Sequence, residues 1–208
     1  QFLEGLGYET RGVSLVDKTP EAILQECALL ILISPKLGFL PQEGDALRLL
    51  MKSPLPLLLA VDPPVSPTLV KALGAEGVVL TQKTVINQEN LARKFPLTDI
   101  ILQQFVPGEL GRGLTKGVYL PEVQALELST DTGTPSDPVW TPLLHTPPGD
   151  AFRLLGVEGE GRGPFQVALS AVRAGRPLRV LLGSGKGLLS RHVSFGDNQK
   201  LLLNSTRW

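Results

Sequence analysis

The sequence predicts an α/β fold, a three-layer sandwich built on a mostly parallel sheet with one irregular insertion. The first observation is a pair of short, continuous apolar runs, at 28–33 (ALLILI) and 57–61 (LLLAV). Such runs are typical of strands that are covered on both faces. The second is a helix-patterned segment between them, which a parallel pair of strands requires as its crossover. The third is size, because 208 residues with 42% apolar side chains can bury a substantial core.

Strand-like and helix-like segments alternate through the first 80 residues. Thr19 and Ser66 can each accept a hydrogen bond from a free amide at a helix start, and each precedes a proline that suits the first helical turn. Gly74 is expected to cap the second of these helices. The predicted elements are a helical remnant ending near Gly5 and Gly7, a strand at 8–15, a helix at Pro20–Glu26, a strand at 28–33, a helix at Pro41–Lys52, a strand at 57–61, a helix from Pro67 to about Leu73, and a short strand at 78–80.

The remainder of the chain divides into an irregular part and a returning α/β pattern. Residues 82–138 are rich in turn residues and predict an irregular excursion that holds one strand, at 118–128. Strands are then predicted at 140–145, 166–173 and 178–182, with a turn at 174–177 and a closing helix from Asp197 or Asn198 to Trp208. We expect one domain over 1–208, cut from a longer protein, because the chain begins without Met and ends inside a predicted helix.

Composition excludes several classes of function. The chain has 20 Lys and Arg against 20 Asp and Glu, and this neutral balance argues against a nucleic-acid partner. Cys27 is the single cysteine, so neither an intrachain disulfide nor a cysteine-based zinc site can form. The longest apolar run covers only residues 27–33, whereas a membrane-spanning helix needs about 20 residues. The sequence therefore predicts that this fragment does not cross a membrane.

No motif for a cofactor or a metal is complete. The glycine-rich segment 183–187 follows a predicted strand, but Val180 and Gly187 stand where a phosphate-binding loop needs a glycine and a hydroxyl residue. His145 and His192 each lack a second ligand at metal-binding spacing. The sequence accordingly predicts no cofactor and no metal.

The order of segments resembles a known family, the extracytoplasmic domain of GldG-type ABC-transporter auxiliary proteins, which has related modules in intraflagellar-transport proteins. The segments that carry this resemblance are FLEGLGYETRGVSL, ALLILISPK, PLLLAVDPP, FPLTDII, PVWTPLLHTPPGDAF and the terminal LRVLLGSGKGLLSRHVSFGDNQKLLLNSTRW. The resemblance implies a flavodoxin-like or glutamine amidotransferase-like fold. It also implies a gliding-motility-type transport subunit whose membrane anchors lie outside this fragment. Ser184 and Phe95 depart from the family pattern, where Asp and His are usual.

The related amidotransferases provide a test for catalysis. Their nucleophilic cysteine follows the strand that corresponds to 57–61, and the next backbone amide helps to stabilise the oxyanion. This chain has Asp62 and Pro63 there, and Pro63 has no N–H to donate. We therefore expect a domain without enzymatic activity.

The predicted function is a non-catalytic binding or scaffolding domain of a membrane-anchored transporter subunit, on the extracytoplasmic, periplasmic or cell-surface face of a bacterial inner membrane. Its partners would be protein subunits of the transporter. Ser34, Asp62, Ser184 and Asn198 are the candidate binding residues, since each lies near a predicted strand end or helix start. The ordinary structural role of such a residue is a turn or helix cap. The alternatives are a small-molecule or glycan-binding domain, which would need a deep polar pocket, and a hydrolase with an unrecognised site. A flat crevice lined by prolines and aliphatic residues would instead favour contact with a protein.

Overall fold

The computed structural model describes residues 2–35, 38–103, 105, 108, 110–129, 139–156, 162–173, 176–189 and 192–206. Five α-helices lie within these residues: α1 (Pro20–Glu26), α2 (Pro41–Lys52), α3 (Pro67–Gly74), α4 (Glu89–Ala92) and α5 (Asn198–Thr206). Short 3-10 turns occur at Glu4–Leu6 and Lys186–Leu188. Among the described helices, none combines the length and the apolar composition that crossing a bilayer requires.

Most of the described chain is organised around one large sheet. The strands are β1 (Leu30–Ile33), β2 (Leu57–Ala60), β3 (Val78–Asn87), β4 (Asp99–Leu102), β5 (Val118–Pro121), β6 (Gln124–Leu128), β7 (Val139–His145), β8 (Gly149–Leu154), β9 (Arg162–Gly163), β10 (Gln166–Arg173) and β11 (Arg176–Leu182). The sheet runs in the order β1-β2-β11-β10-β6-β3-β8-β9, with β7 also paired to β10. Strands β4 and β5 form a separate two-stranded ribbon.

The predicted helix starts are confirmed by their capping contacts. The Thr19 hydroxyl accepts a hydrogen bond from the Ala22 amide, and the Ser66 hydroxyl accepts one from the Leu69 amide, each at 3.3 Å. Helices α1 and α2 have the predicted bounds, whereas α3 includes Gly74 and does not end before it. The predicted strand at 8–15 is wrong, since none of these residues pairs in a strand and most are exposed. Local capping is therefore a better guide here than a weak alternation of apolar residues.

The prediction of a mostly parallel sheet is also wrong. Only β1 with β2 and β2 with β11 are parallel, and the other pairings within the described sheet are antiparallel. The sequence itself contains one reason for antiparallel pairing. Strand β10 ends at Arg173 and β11 begins at Arg176, and so short a connection can join only antiparallel neighbours.

The segment 82–138 is more regular than predicted, although 130–138 lies outside the described residues. It contributes the end of β3, helix α4, the β4–β5 ribbon and β6, and β6 lies inside the sheet between β10 and β3. The single strand predicted at 118–128 is divided into β5 and β6 at Glu122, whose backbone is left-handed with a φ of 51°.

Two apolar clusters cover opposite faces of the sheet because side chains alternate along each strand. Leu57 and Leu59 pack with helices α1, α2 and α3 on one face. Leu58 and Ala60 pack on the other face, where α5 and the β4–β5 ribbon contribute Leu201 and further residues. A three-layer sandwich is not confirmed, because helix α5 and a β-ribbon share the second face.

Candidate functional site

Three of the four candidate binding residues meet at one edge of the sheet. Ser34, Asp62 and Ser184 follow β1, β2 and β11, which are adjacent parallel strands whose carboxyl ends share that edge. The Asp62 carboxylate accepts a hydrogen bond from the Ser34 hydroxyl (2.5 Å) on one oxygen. Its other oxygen accepts from the amides of Gly185 (2.8 Å) and Lys186 (3.0 Å). Asp62 therefore joins β1 to the loop that follows β11.

The fourth candidate, Asn198, connects the start of α5 to β5 and to that same loop. Its side-chain amide donates to the carbonyls of Tyr119 (2.8 Å), Gly187 (2.7 Å) and His192 (3.2 Å). Its side-chain oxygen accepts from the Tyr119 amide (2.8 Å). Asn198 thus completes both backbone hydrogen bonds of Tyr119, as a neighbouring strand would.

All four candidate side chains are buried, with Ser34 8%, Asp62 7%, Ser184 0% and Asn198 0% exposed. Buried polar groups are stable only when they are hydrogen bonded, and these four bind mainly backbone atoms. Such contacts fix the positions of loops and strands, and they leave little of each side chain for a ligand.

An open groove lies beside these residues and has a volume of about 690 Å³. We call it the groove throughout, and it is lined by Pro96, Asp99, Tyr119, Pro121, Glu122, Lys186, Leu189 and His192. None of the four candidate residues lines it. The groove nonetheless lies close to the predicted surface, since Lys186 follows the carboxyl end of β11.

Three of the four buried candidates position residues that line the groove. Asp62 binds the amide of Lys186, and the Ser184 hydroxyl donates to the Pro121 carbonyl at 2.6 Å. Asn198 binds the backbone of Tyr119 and His192. The groove is therefore shaped by side chains that do not themselves contact its interior.

A fourth residue that positions the groove lining, Asn90, is absent from the sequence prediction. Its side-chain amide donates to the carbonyls of Pro96 (2.9 Å) and Asp99 (2.7 Å), and the residue is 7% exposed. Asn90 belongs to the four-residue helix α4, inside the segment that the sequence predicts as irregular. The one available signal was an asparagine a few residues before the Phe95-Pro96 turn, which is too common a feature to be specific.

The groove combines charged groups with aromatic rings. The Lys186 ammonium pairs with the Glu122 carboxylate. Tyr119 stacks at a tilt against His192, with ring centres 5.4 Å apart, and against Phe195, with ring centres 5.5 Å apart. Tyr119 and His192 line the groove, and the ring contacts continue to Phe195 outside it, which is 54% exposed.

Asp197 holds the loop that leads into β5, the strand that carries Tyr119. Its carboxylate accepts hydrogen bonds from the amides of Thr115 and Lys116, both at 2.5 Å, in the loop that leads into β5. Burial on its own would raise the pKa of Asp197. The amides of Lys116 and Thr115 and the Lys200 ammonium outweigh this effect and hold the pKa below its ordinary value. Asp197 therefore remains charged at neutral pH and keeps the loop closed against α5.

In the part of the chain that the structure describes, no group of three or more His, Cys, Asp or Glu side chains could hold a metal ion.

The comparisons with known proteins define the class of fold. No protein-family model matches the chain, and no curated protein matches it. A solved structure described as the mmIFT52 N-terminal domain is similar, with a TM-score of 0.62 and 16% sequence identity over 89% of this chain and 79% of that chain. At this identity the similarity shows the fold alone, which is a mixed α/β domain of the kind found in that structure.

Proposed function

We propose that this chain is a non-catalytic binding domain that holds a partner protein, within a membrane-anchored auxiliary subunit of a gliding-motility-type ABC transporter. The domain would face the extracytoplasmic side of a bacterial inner membrane. Two lines of support for this assignment are the ordered GldG-like segments of the sequence and the α/β fold.

The observation that carries the non-catalytic part is the environment of Asp62. Both carboxylate oxygens accept hydrogen bonds from groups of the protein, and the following residue, Pro63, has no N–H for an oxyanion. An Asp in this arrangement is suited to holding β1 and the loop after β11. It is poorly suited to attack on a substrate.

A protein partner is favoured over a small molecule by the shape and extent of the groove. The groove is open, and its lining includes Pro96, Pro121 and Leu189. The apolar surface continues beyond it through Phe195 and through Ile101, which is 61% exposed and pairs with Tyr119 across the ribbon. Exposed apolar surface of this kind is typical of protein contact sites.

The catalytic alternative is tested by turnover. We expect the purified domain to release no ammonia from glutamine and to hydrolyse no simple ester above the buffer rate. The Asp62→Asn variant should match the wild type in this assay, as should Asp45→Asn, an exposed control. Turnover that is lost in Asp62→Asn, while the circular dichroism spectrum is retained, would exclude the proposed function.

The binding part is tested by co-purification of the full-length parent protein from its native membranes. We expect transporter subunits to be recovered with the wild type and to be lost when Leu189 and Phe195 are both replaced by Asp. Leu49→Asp is the matched control, because Leu49 is 55% exposed on α2, away from the groove. Equal recovery with all three proteins, or recovery without any transporter subunit, would contradict the proposal.

A further inference from the structure

We infer that the groove binds a polypeptide segment that places an arginine or lysine side chain against Asp99 and an aliphatic side chain against Tyr119 and Leu189. This inference rests on the proposed function, since it specifies the chemistry of the partner that the groove would hold.

The charges of the groove favour a cation. Glu122 and Lys186 neutralise one another, whereas no described side chain forms a hydrogen bond or an ion pair with the Asp99 carboxylate. Asp99 is already half-buried, so a partner that covers the groove would remove much of its remaining water. Covering an ionised carboxylate is costly unless a cation or several donors replace that water. An arginine or lysine of the partner meets this requirement.

The groove also offers a contact surface for an aliphatic side chain. Tyr119 lies beside Asp99 on the outer face of the β4–β5 ribbon, because Asp99 pairs with Pro121 and Ile101 pairs with Tyr119 in the antiparallel register. Leu189, which is 39% exposed, also lines the groove. A residue next to the cation in a partner segment would therefore meet an apolar surface.

The backbone on both sides of this contact is held in place before any partner binds. Asn90 binds the Asp99 carbonyl, and Asn198 binds both the amide and the carbonyl of Tyr119. A site with a fixed backbone loses less conformational entropy on binding than a mobile loop would. Short peptides should therefore bind measurably without the rest of the partner.

The probe is an array of capped heptapeptides with arginine, citrulline or glutamate at the centre and leucine or serine on either side. Citrulline has the shape of arginine without its charge. The tightest arginine peptide and its citrulline and glutamate analogues are then titrated into the ¹⁵N-labelled domain. We expect the arginine–leucine peptide to bind about tenfold more tightly than the citrulline analogue, which is the effect of one charge-assisted hydrogen bond at a half-buried carboxylate. The amide signals of Tyr119 and Leu189 should shift.

The variants separate this contact from general attraction to the protein. In Asp99→Asn the preference for arginine over citrulline should disappear, while the matched control Asp45→Asn should keep it. Equal binding of the arginine and citrulline peptides, shifts located away from the groove, or tighter binding of chitin or maltose oligosaccharides there would each overturn the inference. If these results occur while co-purification still depends on Leu189 and Phe195, the proposed function stands and only the chemistry assigned to the partner is wrong.

Discussion

At Asp62, one carboxylate satisfies three donors that lie on two different segments of the chain. The Ser34 hydroxyl and the amides of Gly185 and Lys186 all converge on it inside the protein. The close approach also explains Gly185, where a Cβ atom would lie 2.0 Å from the Ser34 oxygen and 2.8 Å from the Ala60 carbonyl oxygen. Ser34, Asp62 and Gly185 therefore pack as one unit, and a change at any one of them disturbs the contacts of the other two.

Replacing Asp62 by Ala should destabilise the protein more than replacing Ser34 by Ala. The first change leaves three donors without their acceptor and should lower the free energy of unfolding by about 3 kcal/mol or more. The second removes one hydroxyl and should cost about 1 kcal/mol. Urea denaturation measures both, with the exposed Asp45→Ala expected to stay within about 0.5 kcal/mol of the wild type. Equal effects at positions 62 and 34 would be evidence against the shared role of the carboxylate.

Asp197 should make stability depend on pH in the acid range. Its pKa in the folded protein lies below the ordinary value of 3.8, so the stability that it contributes is fully present above pH 3.8. This contribution is lost as the pH falls below 3.8 through the lower pKa of the folded state. Asp197→Asn should therefore be less stable than the wild type at pH 7, and the difference should shrink below pH 3.8. Urea midpoints measured from pH 7 to pH 3 check this, and a constant difference across that range would contradict it.

At the scale of elements, the contact between α2 and α3 is closer than either helix alone suggests. Gly44 lies in α2, and a Cβ atom there would lie 2.3 Å from the Thr68 methyl group of α3. At Gly74, at the end of α3, a Cβ atom would have no neighbour within 4 Å apart from the adjacent residues and the backbone of its own helix. Close packing therefore requires glycine at position 44 but not at position 74, although both residues lie within helices.

Gly74→Ala should stabilise the protein by about 0.5–1 kcal/mol, because alanine loses less backbone entropy in a helix. Gly44→Ala should instead destabilise it by about 1–2 kcal/mol through the collision with Thr68. Thr68→Ser removes the methyl group, so the double variant Gly44→Ala with Thr68→Ser should recover most of that loss. Thermal denaturation of the four proteins checks the argument, which fails if the double variant is no more stable than Gly44→Ala.

At the scale of the whole molecule, no described strand pairs with the outer edge of β1. The amides of Leu30 and Ser34 donate to β2, so the alternation of a parallel strand directs the amides of Ile31 and Ile33 away from the sheet. No described residue accepts a hydrogen bond from these two amides. The opposite side of β2 is covered by β11.

The rates of amide hydrogen exchange should differ between the edge strand β1 and the interior strand β2. We expect the amides of Ile31 and Ile33 to exchange at least about a hundredfold faster than those of Leu58 and Leu59, because edge amides open with little loss of structure. The amide of Ser34 provides an internal control, since it lies at the same edge strand but donates to the Ala60 carbonyl at 2.8 Å. Similar protection at Ile31 and Ser34 would indicate that another segment covers the edge.

The features that could be predicted from sequence are those fixed by neighbouring residues. Helix α2 follows from its apolar spacing, and α1 and α3 follow from Thr19, Ser66 and the prolines after them. Strands β4 and β8 were missed, since their stability comes from partners distant in sequence. Strand β3 was predicted too short, because its polar middle (TQKT) lacks the alternation of a typical strand.

The sequence singles out Ser34, Asp62, Ser184 and Asn198 as candidate binding residues, but it does not single out the residues that line the groove. Asp62 and Asn198 stand out in the sequence because a polar residue after a strand, or before a helix, commonly binds the backbone. The groove was not visible, because Asp99, Tyr119 and Lys186 come from segments that only the complete fold brings together. A single sequence contains no local pattern that indicates which distant segments come into contact in the folded protein.

Asn198 has a consequence for the order of events during synthesis. Tyr119 is held by an asparagine that the ribosome adds 79 residues later. The groove thus cannot be complete until α5 has emerged and packed. A partner that recognises this surface would not bind an incompletely synthesised chain, so assembly of a complex would begin only after the whole domain has folded.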